Sequence, residues 1–294
     1  MSFIREFRIY LSLVPLVLCG ASGPLRAQSL DWEGQTGVLL TPFAYTAPSD
    51  ANKAGLPVVG FHFLDAGSVL GDFETISVTE GFVKHIELGY TRTIQEAGSN
   101  AALSPLWTAG FNIAHGKVNL VPENVKKHNW VPAIAAGFVA RQGDQNVSGA
   151  LLTPHRNYTN GDFYAVATKT ITQTKKVPIL LSFGVKGTNA AVLGLAGNAP
   201  DWRARMFGAG AFVFTGPHKT SIILAAEFVQ EQKAILNLPS ADIPTTIAYA
   251  LRFVPRSETK FNVDLAVAQV ANRIIPGVNL NARAQFGMGV SYGF

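Results

Sequence analysis

Cysteine is almost absent from this chain of 294 residues, in which Cys19 is the only one. A single cysteine closes no disulfide within the chain, so the fold must be held by hydrogen bonding and burial. Charge is scarce as well. Asp, Glu, Lys and Arg make up 15% of the residues, against about a quarter in an ordinary soluble domain. The formal excess of +5 falls to +3 once Arg5, Arg8, Arg26 and Glu6 of the extreme N-terminus are set aside. No basic stripe carries interleaved aromatics, which argues against nucleic acid as a partner.

Long apolar runs are missing too. Hydrophobic residues reach 48%, yet outside the N-terminus no stretch has the roughly 18 apolar residues of a helical membrane span. High apolar content without apolar runs fits alternating strands, in which half of each strand faces lipid.

Catalytic and metal signatures are also lacking. The histidines, His62, His85, His115, His128, His155 and His218, show no ligand spacing of the His-x-x-x-His kind. There is no Gly-x-Ser-x-Gly elbow and no His-x-Ser pair. The glycine-rich stretches "FGAGAF" and "FGMGVSYGF" precede no helix and so are not phosphate loops. No catalytic residue, metal or cofactor is expected, and an enzyme ranks third among the functional readings.

What is present divides the chain into three. Residues 1–27 read as an export signal: Arg5 and Arg8, then the short apolar core "IYLSLVPLVL", then a cleavage region ending at Ala27. Residues 28–55 form an N-terminal segment with one short apolar run, Val38–Leu40, followed by a proline. An extra strand over 35–46 would make the strand count odd, so a segment lying in the periplasm or inside the rest of the fold is expected. Residues 56–294 carry twelve alternating segments, at 56–64, 73–82, 85–94, 107–117, 131–141, 162–172, 177–187, 204–214, 219–229, 244–254, 259–269 and 282–294. The fold class is therefore all-β, a transmembrane antiparallel β-barrel of about 12 strands.

Each strand has two unlike faces. In "KFNVDLAV", Phe261, Val263, Leu265 and Val267 oppose Lys260, Asn262 and Asp264. A soluble sandwich would carry more Lys and Glu on its polar side, and less Gly and Ala. Connections alternate long and short, except at 118–130, as in outer-membrane barrels with long outer loops and tight periplasmic turns. An even count puts both chain ends in the periplasm. Trp107, Trp130 and Trp202 stand at strand starts, where an interfacial aromatic belt would lie. The final strand, "ARAQFGMGVSYGF", puts Phe286, Met288, Val290, Tyr292 and Phe294 on one face. A closed barrel pairs this strand with the first, and its aromatic end resembles the signal read by the barrel assembly machinery. Expected partners are that machinery, outer-membrane lipids, and small solutes or ions.

The alternation assigns His62, Glu87, Arg141, Lys169, Lys186, Glu227, Arg252, Lys260, Asp264 and Arg283 to the lumen. Charges there either pair into a sealed plug or line a water path, and the sequence leaves both open. Arg252, Lys260 and Arg283 on the three final strands would form one basic wall. Loop 188–203, "TNAAVLGLAGNAPDWR", is apolar enough to fold into the lumen. Loop 142–161 is the longest.

"GQTGVLLTPFA", Gly34 to Ala44, resembles the opening of YjbH-type barrels linked to exopolysaccharide production, through Gly34, Thr36, Gly37, Leu39, Thr41, Pro42 and Ala44. The whole chain is similar to uncharacterised Gram-negative outer-membrane barrel families. The leading expectation is a narrow porin-like channel with mild anion bias. The alternative is a non-conducting barrel supporting envelope or exopolysaccharide assembly.

Overall fold

The computed structural model describes residues 29–99, 110–143, 159–172, 177–233, 243–255, 260–269 and 285–294. The export signal, Trp107, His155, Arg283 and most of loop 142–161 lie outside the described residues. Within them the chain forms a closed antiparallel barrel of twelve strands. These are β1 (Val58–Asp65), β2 (Gly71–Phe82), β3 (Ile86–Ala97), β4 (Phe111–Val121), β5 (Ala133–Gly143) and β6 (Asn160–Ile171). They continue with β7 (Ile179–Ala190), β8 (Asn198–Thr215), β9 (Ser221–Val229), β10 (Thr246–Val254), β11 (Phe261–Gln269) and β12 (Gln285–Gly293). Each strand pairs with its sequence neighbour, and β12 closes on β1 from Val58 opposite Gly293 to Asp65 opposite Phe286. Closure leaves no edge, so every strand has a partner on both sides.

The outside of the ring is apolar. Leu88, Phe183, Phe212, Leu224, Tyr249 and Leu265 are each more than 40% exposed, a waste of burial in water but the requirement of a lipid-facing wall. Trp130 is exposed at one rim. Trp202 is exposed at the other and stacks on Phe163 with ring centroids 5.8 Å apart. On β12, Phe286 and Met288 point outward, and Tyr292 meets Phe294 edge to face at 5.1 Å.

Two rims result. Tight connections at 83–85, 172–178, 216–220 and 255–260, with the longer 122–132, share the rim where β1 begins and β12 ends. This turn rim lies opposite the loop rim, which carries the other connections. The structure differs from the alternation pattern at β8. It begins at Asn198, so the second half of loop 188–203 is strand. Arg203 to Arg205 pair with Thr188 to Lys186 of β7, Asn198 pairs with Ala190 across a register shift, and the exposed residues from Pro200 to Trp202 lie within that shift. The connection that is left, 191–197, turns back on itself through positive φ at Val192, Leu193, Gly194 and Gly197.

Residues 29–55 add no strand. They make only isolated bridges, Leu30 with Thr36, Gly37 with Pro42, and Ala54 with Phe82. From Ser29 to Ala44 all residues but Leu40 are buried, because this stretch runs through the lumen and supplies much of the core. Trp32 packs in one cluster with Phe73, Tyr164 and Phe207, while Val38, Leu39 and Phe43 pack against Ala209, Ala248 and Ala266. Small wall residues make room for it. At Gly34, with φ of +89°, a Cβ would overlap the Thr91 hydroxyl.

Candidate functional site

The chemistry of this barrel is concentrated where the wall meets the lumen segment. A segment without regular structure leaves its backbone N–H and C=O groups unpaired, and in a dry lumen each must find a partner. The wall supplies them, strand by strand.

Near the start of the segment, Ser29 Oγ donates to Asp264 at 3.3 Å, Leu30 N donates to Ser291 Oγ at 3.3 Å, and the Leu30 carbonyl lies 3.0 Å from His62 Nε2. Thr91 donates to the Glu33 carbonyl at 2.8 Å, and Thr79 to the Gly34 carbonyl at 2.6 Å. Tyr164 donates its hydroxyl to Gln35 Oε1. Glu87 accepts from Thr36 N at 3.1 Å and from Ala47 N at 2.7 Å, while Lys117 donates to the Thr36 carbonyl at 3.2 Å. Further on, Arg252 donates to the carbonyls of Gly37 at 3.2 Å and Val38 at 3.0 Å. Thr168 accepts from Ala44 N at 2.9 Å, and Asn119 donates to the Ala44 carbonyl at 2.7 Å. With Arg141 of β5 bound to Glu33 and Glu227 of β9 bound to Leu39, Leu40 and Thr41, strands β1 to β6 and β9 to β12 all bind the segment.

Glu227 on β9 makes the densest contact. Its carboxylate accepts from three consecutive backbone N–H groups, Leu39 at 3.2 Å, Leu40 at 3.0 Å and Thr41 at 3.0 Å, and from the Thr41 hydroxyl at 2.8 Å. Successive N–H groups converging on one anion form a nest, here occupied by the protein's own carboxylate.

The cations of the wall are paired. Lys117 sits 3.0 Å from Glu87, Lys186 3.5 Å from Asp162, and Arg252 Nε 2.7 Å from Asp264. Arg141 binds Asp162 at 2.7 Å and also Glu33 of the lumen segment, so a charge from the segment completes a charge group of the wall. Asp31 is fully buried. Its Oδ1 accepts from Glu33 N and Gln35 N, both at 2.9 Å. Burial and then the neighbouring Glu33 charge push its carboxyl well above the usual range.

The loop rim is closed in the same way. Residues 191–197 fold over the segment, and Leu193 and Leu195 pack on the cluster that holds Trp32. Beside them Glu231 and Gln232 are buried. Gln232 donates to the Thr188 carbonyl. Burial raises the Glu231 carboxyl above its usual range, against the opposing pull of Lys186.

Of the residues that the alternation assigns to the lumen, the structure places His62, Glu87, Arg141, Lys186, Glu227, Arg252 and Asp264 inside, all buried. It puts two elsewhere. Lys169 lies on the outward parity of β6, opposite Leu181, and reaches past the strand to Glu123 at 3.0 Å and Asn124 at 2.6 Å. Lys260 precedes β11 at the turn rim, exposed, and donates to the main-chain oxygen of Phe294. Among the described residues Arg252 is paired to Asp264 and Lys260 is exposed at the turn rim, so these two form no shared basic wall; Arg283 lies outside the described residues. Sequence reasoning passed over Lys117 and Asp162. Lys117 shares its face with His115, and Asp162 with Tyr164, Val166 and Thr168. The signal was there but read in the wrong phase on β6, because Tyr164 and Val166 look outward-facing by hydropathy.

His62 Nδ1 lies 3.4 Å from Thr75 Oγ1, and His115 Nε2 lies 3.4 Å from Thr79 Oγ1. Both pairs are buried beneath the lumen segment, where a substrate could not reach them with the segment in place.

No family model matches the chain, and no curated protein does. The likeness of Gly34–Ala44 to YjbH-type barrels therefore gains no support beyond those eleven residues. Solved structures do match. The KdgM porin is 11% identical, covering 81% of this chain and 99% of its own, with a TM-score of 0.46. The NanC porin is 9% identical over 81% and 100%, with a TM-score of 0.48. Outer membrane protein Omp33 of Acinetobacter baumannii is 9% identical over 82% and 99%, with a TM-score of 0.45. The closed ring, its apolar outside and its polar, filled interior make this chain a transmembrane β-barrel of twelve strands.

Proposed function

We propose that this protein is an outer-membrane, porin-like barrel closed at rest by its own N-terminal segment, which small solutes or ions cross only after that segment rearranges. The observation that carries the reading is the path of residues 29–45 through the lumen, tied to ten strands. A net hydrogen bond is worth about 0.5–1.5 kcal/mol. More than a dozen acting together make a vacant lumen a rarely populated state. Within the described wall, Lys117, Arg141, Lys186 and Arg252 are matched by Glu87, Asp162, Glu227 and Asp264. That balance favours weak ion selectivity over the anion bias that the sequence suggests.

The tight turns are the expected periplasmic side, with both ends of the barrel at that rim and loop 142–161 outside. Phe286, Met288, Val290, Tyr292 and Phe294 form the expected signal for the assembly machinery. A non-conducting barrel that supports envelope or exopolysaccharide assembly is the second reading, favoured by the completeness of the wall-to-segment pairing.

Single-channel recording tests the proposal. The purified protein in planar bilayers should stay closed for long periods with rare openings, and a variant with a loosened segment should open more often. A steady open conductance in the unaltered protein refutes closure at rest. Silence in every variant that still folds favours the non-conducting barrel. An epitope within 142–161 should be labelled on intact cells, and labelling only after permeabilisation would invert the orientation.

A further inference from the structure

The turn rim, unlike the loop rim, is not filled. A cavity of about 770 Å³ opens there between the lumen segment and the strand ends, within the range of about 300–1,000 Å³ usual for small-molecule pockets. Its two walls differ in chemistry. One is apolar: Leu180, Val213 and Ile223 from inward positions of β7, β8 and β9, with Pro178 and with Phe43 of the segment. The other is polar and carries Lys84, His85 and Glu123.

Glu123 is already committed. It accepts from the Tyr45 hydroxyl at 2.8 Å, from Lys169 at 3.0 Å and from Thr170 N at 2.7 Å. Its charge is thus neutralised. The Lys84 ammonium and the His85 ring have no ion pair among the described residues. Lys84 is also held in place. It lies in the left-handed region with φ of 64°, beside Val83 at 46°, a conformation that L side chains rarely adopt. Its N–H donates to Ser49 Oγ at 2.7 Å, and its carbonyl accepts from Thr46 Oγ1 at 3.3 Å. The β2–β3 turn therefore fixes the backbone from which the Lys84 side chain lines a largely apolar cavity.

We propose that this cavity binds an amphipathic carboxylate, its apolar chain against Leu180, Val213 and Ile223 and its anionic head at Lys84 and His85. The apolar wall supplies the favourable burial, and the uncommitted Lys84 ammonium selects the sign of the head group, with the His85 ring beside it as a hydrogen-bonding partner. The site exists in the closed barrel, so it stands or falls independently of whether the barrel ever conducts.

The test is equilibrium binding of radiolabelled dodecanoate to the full-length protein in lipid nanodiscs, with empty nanodiscs as the blank. One saturable site per barrel is expected. Ile223→Trp, which fills the apolar side, should weaken binding by about tenfold or more. Leu180→Trp is the second filling variant, and heat-modifiable mobility shows which of the two folds. Lys84→Gln with His85→Gln should weaken dodecanoate several-fold and leave dodecanol unaffected, and dodecylammonium should compete poorly. Non-saturable uptake, or equal affinity in the filled variant, overturns the site. Equal affinity after replacement of both Lys84 and His85, or equal competition by the ammonium, overturns the assignment of an anionic head.

Discussion

The two ends of the lumen solve the same packing problem in opposite ways. At the loop rim, residues 191–197 and the buried pair Glu231 and Gln232 fold onto Trp32, leaving a void of only about 70 Å³ among Trp32, Leu39 and Leu193. At the turn rim the segment leaves the lumen along one side, past Tyr45 and Ser49, and the cavity opposite stays open. The difference follows from what the connections bring. Apolar Val192, Leu193 and Leu195 gain by folding inward, whereas the turns at 83–85 and 216–220 are too short to reach the axis. A barrel of this size is therefore filled or hollow according to its connections and its N-terminal segment, not its strands.

The largest way to break this contrast is Arg141→Leu. It would leave Glu33 of the segment and Asp162 of the wall as buried anions without their shared cation, a loss of about 3–5 kcal/mol. We expect a lower temperature for the heat-modifiable transition and more frequent channel openings. Unchanged thermal behaviour would mean that the two acids are stabilised by other groups. Next comes Glu227→Ala, which strips the acceptor from Leu39, Leu40 and Thr41. Stranding a buried donor costs about 1–3 kcal/mol, and the space left by the shortened side chain lets water reach most of the donors, so a total of about 2–3 kcal/mol is expected. Glu227→Gln should cost less, since one acceptor oxygen persists. Equal effects of Ala and Gln would remove Glu227 as the tie.

A smaller effect should be confined to the loop rim and depend on pH. Burial raises the Glu231 carboxyl in the folded barrel, so its protonated form is the one that folding favours. Its contribution is then fully present at pH below the ordinary carboxylate value and is lost as pH rises through the raised one. Proteolysis or amide exchange across 191–197 should accelerate along that rise, and Glu231→Gln should flatten the profile. A slope that survives the replacement assigns it to another group, such as Asp31. The smallest effect is expected at the turn rim, where Lys260 is exposed. Lys260→Gln should shift stability by less than about 1 kcal/mol and leave ion selectivity unaltered. A clear change in reversal potential would put Lys260 back on the conduction path.

Much of the barrel was legible in the chain. The segments expected at 244–254 and 259–269 correspond to β10 at Thr246–Val254 and β11 at Phe261–Gln269, because a two-residue period is a local property of the pleat. Where hydropathy misled, the reason is specific. On β6 the inward face carries Tyr164 and Val166 because it meets a protein segment, Gln35 and its neighbours, not water, so the polar residue Lys169 marks the outside. The start of β8 has no signature in the chain because Asn198 to Trp202 lack alternation and only Asn198 pairs with β7, across a bulge.

By itself the sequence determined the strand number, the two-faced wall and the closure, since alternation, turn residues and a terminal aromatic strand are local and repetitive. Only the tertiary structure decided that the lumen is occupied, and by which pairs. Arg252 stands directly opposite Asp264 in the β10–β11 register, and the stagger between strands that sets such heights has no signature within either strand. The segment from Ser29 to Ala44 has no period at all. Its place is fixed by the sum of single contacts, Glu227 with three N–H groups and Arg141 with Glu33, each between residues more than a hundred positions apart.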